Sequence, residues 1–286
     1  MLGITPYKLS PTAGLSVAIL LALGFGCSLL LRAAGSSSSG GRFHLLLRTE
    51  VQAFKGGSEW QKAQFKQDFS TRETAVVICD MWDHHWCTSA TQRVVQIAHK
   101  MKPVLKVARS AGILIIHAPS ETMDFYRDYP QRRLMLALPR AIPPLSLGLE
   151  SPALPIDDSD EGCDTPGDTV HQAWTRENPV LSIEPNDVIS DDGVEIYGLL
   201  QQKGVKNLLI LGVHANMCIL NRTFAIKQMT NWGMSCVLVR DLTDTMYNPQ
   251  ARPYVSHTAG TELVIDYIER YWCPTTLSAD LVKALK

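Results

Sequence analysis

Short apolar runs and longer segments with helical spacing alternate along most of this chain. Apolar runs of strand length stand at 74–79, 113–117, 180–183, 208–211 and 234–239, with a short sixth one at 275–277. Segments with helical spacing of apolar residues stand at 91–110, 191–203, 219–231 and 261–272. Strands that alternate with helices in this way predict an α/β fold whose parallel sheet is covered on both faces. We therefore expect a three-layer α/β/α domain with a mostly parallel sheet of about five or six strands.

Two of these strands end close to residues that can carry chemistry. The first run ends on Asp80, and the run Leu208–Leu211 breaks at Gly212 and leads into a helical segment that begins near Cys218. Right-handed crossovers place the ends of parallel strands at one edge of the sheet, where ligands usually bind. A thiol at a helix N-terminus is favoured as thiolate, and a neighbouring carboxylate can act as its base. Cys218 is therefore a candidate nucleophile, and an inert packed cysteine is the alternative.

These residues also carry a family resemblance. The segment Val77-Ile-Cys-Asp-Met-Trp-Asp83 and the segment Gly212-Val-His-Ala-Asn-Met-Cys218 resemble the isochorismatase-like cysteine hydrolase superfamily, which includes nicotinamidases and related amidases. The resemblance covers roughly residues 74–277 and implies a Rossmann-like fold. It implies that Asp80 is the general base and that Cys218 attacks a carbon–nitrogen or related bond of a small molecule to give a covalent intermediate.

The same resemblance implies an unusual backbone beside the nucleophile. Members of the family have a cis peptide that corresponds to Val213–His214 in this sequence. Backbone N–H groups near Ala215 and Cys218 would then form an oxyanion hole.

The chain departs from the family at a third position, where a lysine supports the acid. No lysine occurs between Val107 and Gln202, and Glu184 or Pro185 stands nearest the expected place. If Glu184 faces Asp80, the two carboxylates share a site and one tends to hold its proton. Arg176 or His117 are the alternative sources of positive charge. Two functions follow: a cysteine hydrolase, or a binding or scaffold module that keeps the fold without the activity.

Aromatic and polar residues after the first two strands are candidates for the substrate pocket. They are Trp82, Asp83, His84, His85, His117 and Arg176. Nicotinamidase-like relatives bind a metal through an Asp-x-His pair after the second strand, whereas this chain has His117-Ala-Pro-Ser-Glu-Thr. We therefore expect no metal and no other cofactor.

A long insertion separates the second strand from the third. Residues 118–178 contain eight prolines and an acidic tract from Asp157 to Asp168. A Pro-rich insertion at the carboxyl edge of a sheet is typical of a lid or a loop that shapes the substrate pocket. The acidic tract lacks the closing glutamate of a calcium loop, so we interpret it as a solvated loop.

The N-terminal region differs from the rest of the chain. Ala13–Leu31 is uncharged over nineteen residues and precedes a Ser/Gly linker that ends at Gly41. Such a segment is a signal peptide or a membrane anchor, so we expect a secreted or membrane-anchored, extracytoplasmic protein. Residues 1–41 form this segment, 42–70 an arm or linker helix, and 71–286 the hydrolase-like domain.

The cysteines suggest one disulfide, and the net charge limits the expected classes of partner. Of the seven cysteines, Cys87 and Cys163 are the candidates for a disulfide, and the others are expected to be mostly buried free thiols. The formal net charge of the 286 residues is −1, and no basic cluster stands out, so no nucleic-acid partner is expected. The expected partners are a small-molecule substrate, a membrane through the N-terminal segment, and further copies of the chain in a homo-oligomer.

Overall fold

A mixed sheet of eight strands forms the centre of the computed structural model, which describes residues 41–286. The strands are β1 (Arg42–Gln52), β2 (Trp60–Ser70), β3 (Thr74–Cys79), β4 (Leu114–Ala118), β5 (Val188–Ile189), β6 (Asn207–Val213), β7 (Ser235–Asp244) and β8 (Thr275–Thr276). The helices are α1 (Thr88–Ser110), α2 (Met123–Tyr126), α3 (Pro130–Ala137), α4 (Gly193–Lys203), α5 (Cys218–Asn221), α6 (Ile226–Asn231), α7 (His257–Tyr271) and α8 (Ser278–Ala284).

The strand order is β2-β1-β8-β7-β6-β3-β4-β5. Strands β3 to β8 are parallel to one another, whereas β1 runs antiparallel to both β2 and β8. The α/β class is confirmed, and the sheet has two more strands than the upper number expected.

Hydrophobic clusters cover both faces of the central strands. In β3, Ala75 and Val77 belong to the cluster that packs with α4 and α7, while Val76 and Ile78 belong to the cluster that packs with α1. Alternate side chains of one strand thus enter two separate cores, and this is why the run is apolar throughout. Helix α4 ends at Gly204, whose φ of +67° forms a left-handed cap.

The predicted third strand is wrong. Residues 180–183 are not a strand, and β4 pairs instead with the two residues of β5. The backbone over residues 178–187 makes two turns and does not extend. The Leu181 N–H donates to the Asn178 carbonyl, and the Asp187 N–H donates to the Glu184 carbonyl. The predicted helix over 219–231 is interrupted between α5 and α6, where the Ala225 N–H bonds back to the Arg222 carbonyl.

The predicted linker helix at 42–70 is also wrong. This stretch is an antiparallel hairpin in which all eleven residues of β1 pair with β2, from Arg42 opposite Ser70 to Gln52 opposite Trp60. Phe43, Leu45 and Leu47 are buried at alternate positions, which is the period of a strand and not of a helix. The hairpin extends the sheet beyond β8.

A disulfide attaches the insertion to the rest of the domain. It joins Cys87 at the start of α1 to Cys163, as the sequence suggested. Cys79, Cys236 and Cys273 are free and buried.

The segment Ala13–Leu31 lies outside the described residues. Among residues 41–286, no helix is long and apolar enough to cross a membrane.

Candidate active site

Asp80 lies at the carboxyl end of β3, at the centre of the sheet edge. Its side chain is fully buried, and its backbone has a positive φ of 48°. The Ser120 N–H donates to its Oδ1 at 2.7 Å, and Asp80 donates its own N–H to the Ala118 carbonyl at 3.1 Å. The carboxylate is therefore held in one orientation by the neighbouring strand end.

Cys218 reaches the same point from β6. It is the first residue of α5, and its thiol lies close enough to hydrogen-bond with the Asp80 carboxylate. The Val213–His214 peptide before it is cis, and the His214 N–H points to the sulfur. The sheet edge thus brings together the two residues that the sequence proposed as nucleophile and base.

Arg222 supplies the positive charge at this site. Its Nε donates to Oδ2 of Asp80 at 2.8 Å, and its Nη2 donates to Oε1 of Glu121 at 3.0 Å. The guanidinium also lies over the Trp82 ring, 6.0 Å from its centroid. Arg222 follows Cys218 by four residues, so the chain places acid, thiol and cation together from two segments.

Burial governs the protonation of this group. Burial raises the pKa of the Cys218 thiol far above its usual value, and the Asp80 charge raises it further. Burial also raises the pKa of Asp80, although Arg222 opposes this. The thiol is therefore neutral at rest, not the thiolate that a helix N-terminus alone would favour, and the ion pair with Arg222 favours the charged form of Asp80.

Glu184 does not face Asp80, and its expected place in the site is wrong. Its side chain is exposed, and its backbone N–H donates to Oδ2 of Asp187 at 2.7 Å in the turn before β5. The residues expected to form the third strand turn away from Asp80. The positive charge beside Asp80 comes from Arg222. The second carboxylate of the site is therefore Glu121, which Arg222 separates from Asp80, and not Glu184.

Arg176 and His117 do not supply that charge either. Arg176 lies over the Phe125 ring, 5.5 Å from its centroid, and its Nε is 4.0 Å from Oδ2 of Asp83. His117 is fully buried, with Nδ1 2.7 Å from Oε2 of Glu177 and Nε2 3.1 Å from Oδ2 of Asp187. The expectation that His117 lines the pocket mouth is therefore wrong.

The insertion covers the site with an aromatic stack. Trp174 lies parallel to Trp82, with ring centroids 4.3 Å apart, and His85 stacks on Trp174 at 5.8 Å. Asp83 fixes this part of the insertion, because its Oδ2 accepts from the Thr175 hydroxyl at 2.6 Å. His84 is largely exposed and lies outside the stack.

Two histidines beside the nucleophile are neutral. Burial lowers the pKa of His85 to about 4 and the pKa of His214 to about 3. The Cys87 N–H donates to Nδ1 of His85 at 3.1 Å, so the proton of His85 lies on Nε2. Nε2 of His214 is buried and has no hydrogen-bond partner among residues 41–286.

The expected oxyanion hole is only partly present. The Ala215 N–H donates to the Asp244 carbonyl at 2.7 Å, so it is not available to a substrate. The Cys218 N–H, in contrast, makes no hydrogen bond within the part of the chain that the structure describes. The buried Val213 contributes its carbonyl as a possible acceptor for the Cys79 thiol, at 3.9 Å.

A charged network supports the loop that carries His214. Asp244 accepts from Nε of Arg93 at 2.7 Å and lies 2.9 Å from Nε2 of His257. Although burial opposes it, the hydrogen bond to His257 lowers the pKa of Asp244 to about 2. The backbone carbonyl of this anchored aspartate is the one that holds Ala215.

The described residues offer one grouping with metal-ligand geometry, formed by Cys87, Cys163 and Asp168. Its two sulfurs form the disulfide, so they do not fit a metal ion. His117, the histidine nearest the family's metal position, already has a carboxylate on each ring nitrogen.

Arg222, Glu121 and Trp174 were not predicted from the sequence. A signal for Arg222 existed, since residues four apart on a helix lie on one face and this arginine follows the candidate nucleophile by four. Glu121 and Trp174 have no such signal, because only the folded insertion brings them to the site.

Comparisons with known proteins bear on the fold. No protein-family model and no curated protein sequence matches the chain. Among solved structures, a cysteine hydrolase from Pseudomonas syringae is 16% identical, with 76% of this chain and 94% of that chain covered and a TM-score of 0.49. Other neighbours carry isochorismatase names.

Two further structures are similar to the chain. An isochorismatase from Pseudomonas putida is 12% identical over 74% of this chain and 91% of its own, with a TM-score of 0.44. An isochorismatase family protein from Burkholderia thailandensis is 16% identical over 75% of this chain and 96% of its own, with a TM-score of 0.45.

Proposed function

We propose that the protein is a cysteine-dependent hydrolase that cleaves a carbon–nitrogen or related bond of a small molecule through a covalent intermediate on Cys218. The observation that carries this proposal is the contact of the Cys218 thiol and the Arg222 guanidinium with one buried carboxylate, that of Asp80. A nucleophile, a base and a fixed cation at the carboxyl edge of a parallel sheet are the components that acyl transfer requires.

The proposed first step uses the thiol and carboxylate in their resting protonation states. Asp80 takes the proton of Cys218 while the sulfur forms a bond to the substrate carbon and the carbonyl electron pair moves to the oxygen. The tetrahedral intermediate then expels the amine, which leaves with the proton that Asp80 returns. Water, activated by Asp80, hydrolyses the resulting thioester and restores the thiol.

Arg222 differs from a lysine in what it can do here. A guanidinium stays charged at every pH at which the protein is folded, so it cannot exchange protons with Asp80. Its proposed role is to keep the carboxylate ionised against the effect of burial and to stabilise negative charge that develops on the substrate. The Cys218 N–H is the backbone donor available to the oxyanion.

The test uses the full-length protein with an iodoacetamide probe and a panel of amides, ureas and esters. Cys218→Ala should abolish turnover, and mass spectrometry should locate the label on Cys218 in preference to the buried Cys236 of the same molecule. Asp80→Asn should lower kcat at least a hundredfold with the fold retained.

Asp80→Asn separates catalysis from simple binding. Because Asp80 is the proposed base for the thiol, Asp80→Asn should slow alkylation of Cys218 at pH 8 and remove turnover. A binding or scaffold module would instead show no turnover in the wild type. Equal labelling of Cys218 and Cys236 together with no turnover on any substrate would exclude the hydrolase.

A further inference from the structure

A large cavity among the described residues lies away from the candidate active site. It is a groove of about 1190 Å³ between the end of α1, the start of β4 and the segment 181–187. Thr74 and Leu114, the first residues of β3 and β4, line it, whereas Asp80 follows the last residue of β3. The groove therefore opens at the amino edge of the sheet, opposite the edge that carries Cys218.

The rim of this groove is cationic and its floor is apolar. Five basic residues line it, namely Arg72, Lys102, Lys106, Arg109 and Lys203, and Leu105, Ile113 and Leu181 are buried beneath them. Two acids also line the groove. Asp187 is paired with Arg109, and Glu184 is exposed.

Three of these basic residues have no ion-pair partner within the described part of the chain. Lys102, Lys106 and Lys203 form no ion pair with any residue of the described part of the chain. Lys203 lies in the last turn of α4 and suits its dipole, whereas Lys102 and Lys106 lie before the last turn of α1, where the dipole effect is weak.

The chain enters the domain beside the groove. The Gly41 carbonyl accepts from the Thr71 N–H at 2.9 Å, and Thr71 lines the groove. The uncharged segment Ala13–Leu31 ends ten residues before Gly41, a length that spans about 35 Å at full extension. A membrane that held this segment would therefore lie within reach of the cationic rim.

We propose that this groove is a docking surface for an anionic phospholipid bilayer. Lysines at a negatively charged leaflet are attracted to lipid phosphates, and the apolar floor suits the region between headgroups and acyl chains. Glycerophospholipid headgroups match the charge of the rim. The contact would direct the amino edge of the sheet toward the membrane and leave the edge with Cys218 facing the aqueous phase.

The experiment reconstitutes the full-length protein, in a Cys218→Ala background, into vesicles of phosphatidylcholine alone or with about 30% phosphatidylserine as the anionic lipid. A dye on Ser110→Cys reports on the groove, and a dye on Gln250→Cys, in the loop after the carboxyl end of β7, reports on the opposite edge. Lipids with a headgroup quencher measure the distance to the surface. Quenching of the Ser110→Cys dye should occur in anionic vesicles only, and the Gln250→Cys dye should stay bright.

The charge dependence decides the proposal. Replacing Lys102, Lys106 and Lys203 by Glu should lower occupancy of the docked state by about a hundredfold. The matched control replaces Lys55, Lys66 and Lys283 by Glu and changes the net charge equally. Equal quenching in uncharged vesicles, or equal loss in the control, would overturn the proposal. Because the assay requires no turnover, its failure is independent of the proposed hydrolase function.

Discussion

The Arg222 guanidinium donates to the buried Asp80 carboxylate at 2.8 Å. The arginine comes from the helix of the nucleophile and not from the strand two elements earlier. Asp80 is fully buried, so this is the interaction that keeps a charge inside the sheet edge.

Removing the guanidinium should leave a buried carboxylate without its partner. Arg222→Met is expected to lower the free energy of unfolding by about 3 kcal/mol, as measured by urea denaturation. Arg222→Lys should recover part of the loss, since the charge returns without the second donor. Arg127→Met, which removes an exposed pair with Asp124, is the control and should change stability little.

A double-mutant cycle identifies the cause of that loss. If the cost of Arg222→Met comes from the unpaired carboxylate, Asp80→Asn in the same molecule should reduce it markedly. Strictly additive effects of the two substitutions would mean that they act separately.

His117 should make the protein less stable in alkaline solution. Burial opposes the charge, but Glu177 and Asp187 raise the pKa of His117 to about 9. A raised pKa gives stability that is fully present below the unfolded value, about 6.5, and is lost as the pH rises through 9.

Urea titrations from pH 6 to pH 10 measure this effect. The wild type should lose about 3 kcal/mol more over this range than His117→Gln, which has no proton to release. A parallel loss in both proteins would show that other groups cause the pH dependence.

Gly212 should tolerate no side chain. Its φ is +122°, and a Cβ atom there would lie 1.9 Å from the Cys79 carbonyl oxygen of the neighbouring strand. Gly212→Ala is expected to lower stability by several kcal/mol, because backbone atoms must move. Gly112 has a φ of +78° with open space around it, so Gly112→Ala should cost only about 1–2 kcal/mol. Thermal unfolding of the two variants compares steric overlap with backbone strain alone, and equal losses would contradict the close approach.

The disulfide and the aromatic stack should respond separately to reduction. Replacing Cys87 and Cys163 by Ser opens a loop of 76 residues and should lower the free energy of unfolding by about 4 kcal/mol. The Trp82–Trp174 stack should persist in the folded variant, since Asp83 holds Thr175 beside it. Near-ultraviolet circular dichroism follows the stack, and loss of its signal in the folded variant would mean that the disulfide positions Trp174.

Much of the central sheet could be predicted because each strand carries its own signal. The runs at β3, β4, β6 and β7 are buried on both faces, so their apolar residues are continuous and read directly as parallel strands. The hairpin of β1 and β2 was missed because half of its positions face solvent, and only its pairing with β8 makes it part of the sheet.

The sequence by itself determined that Asp80 and Cys218 lie at one edge of the sheet, since a parallel sheet brings its strand ends together whatever the loops between them do. Only the tertiary structure decided the third residue. Glu184 stands near the expected place in the chain but turns outward, whereas Arg222 reaches Asp80 from a helix turn. The central strands follow from local patterns. The partner of a buried charge depends on which long side chain can cross the space above the sheet, and that is fixed only when the chain is packed.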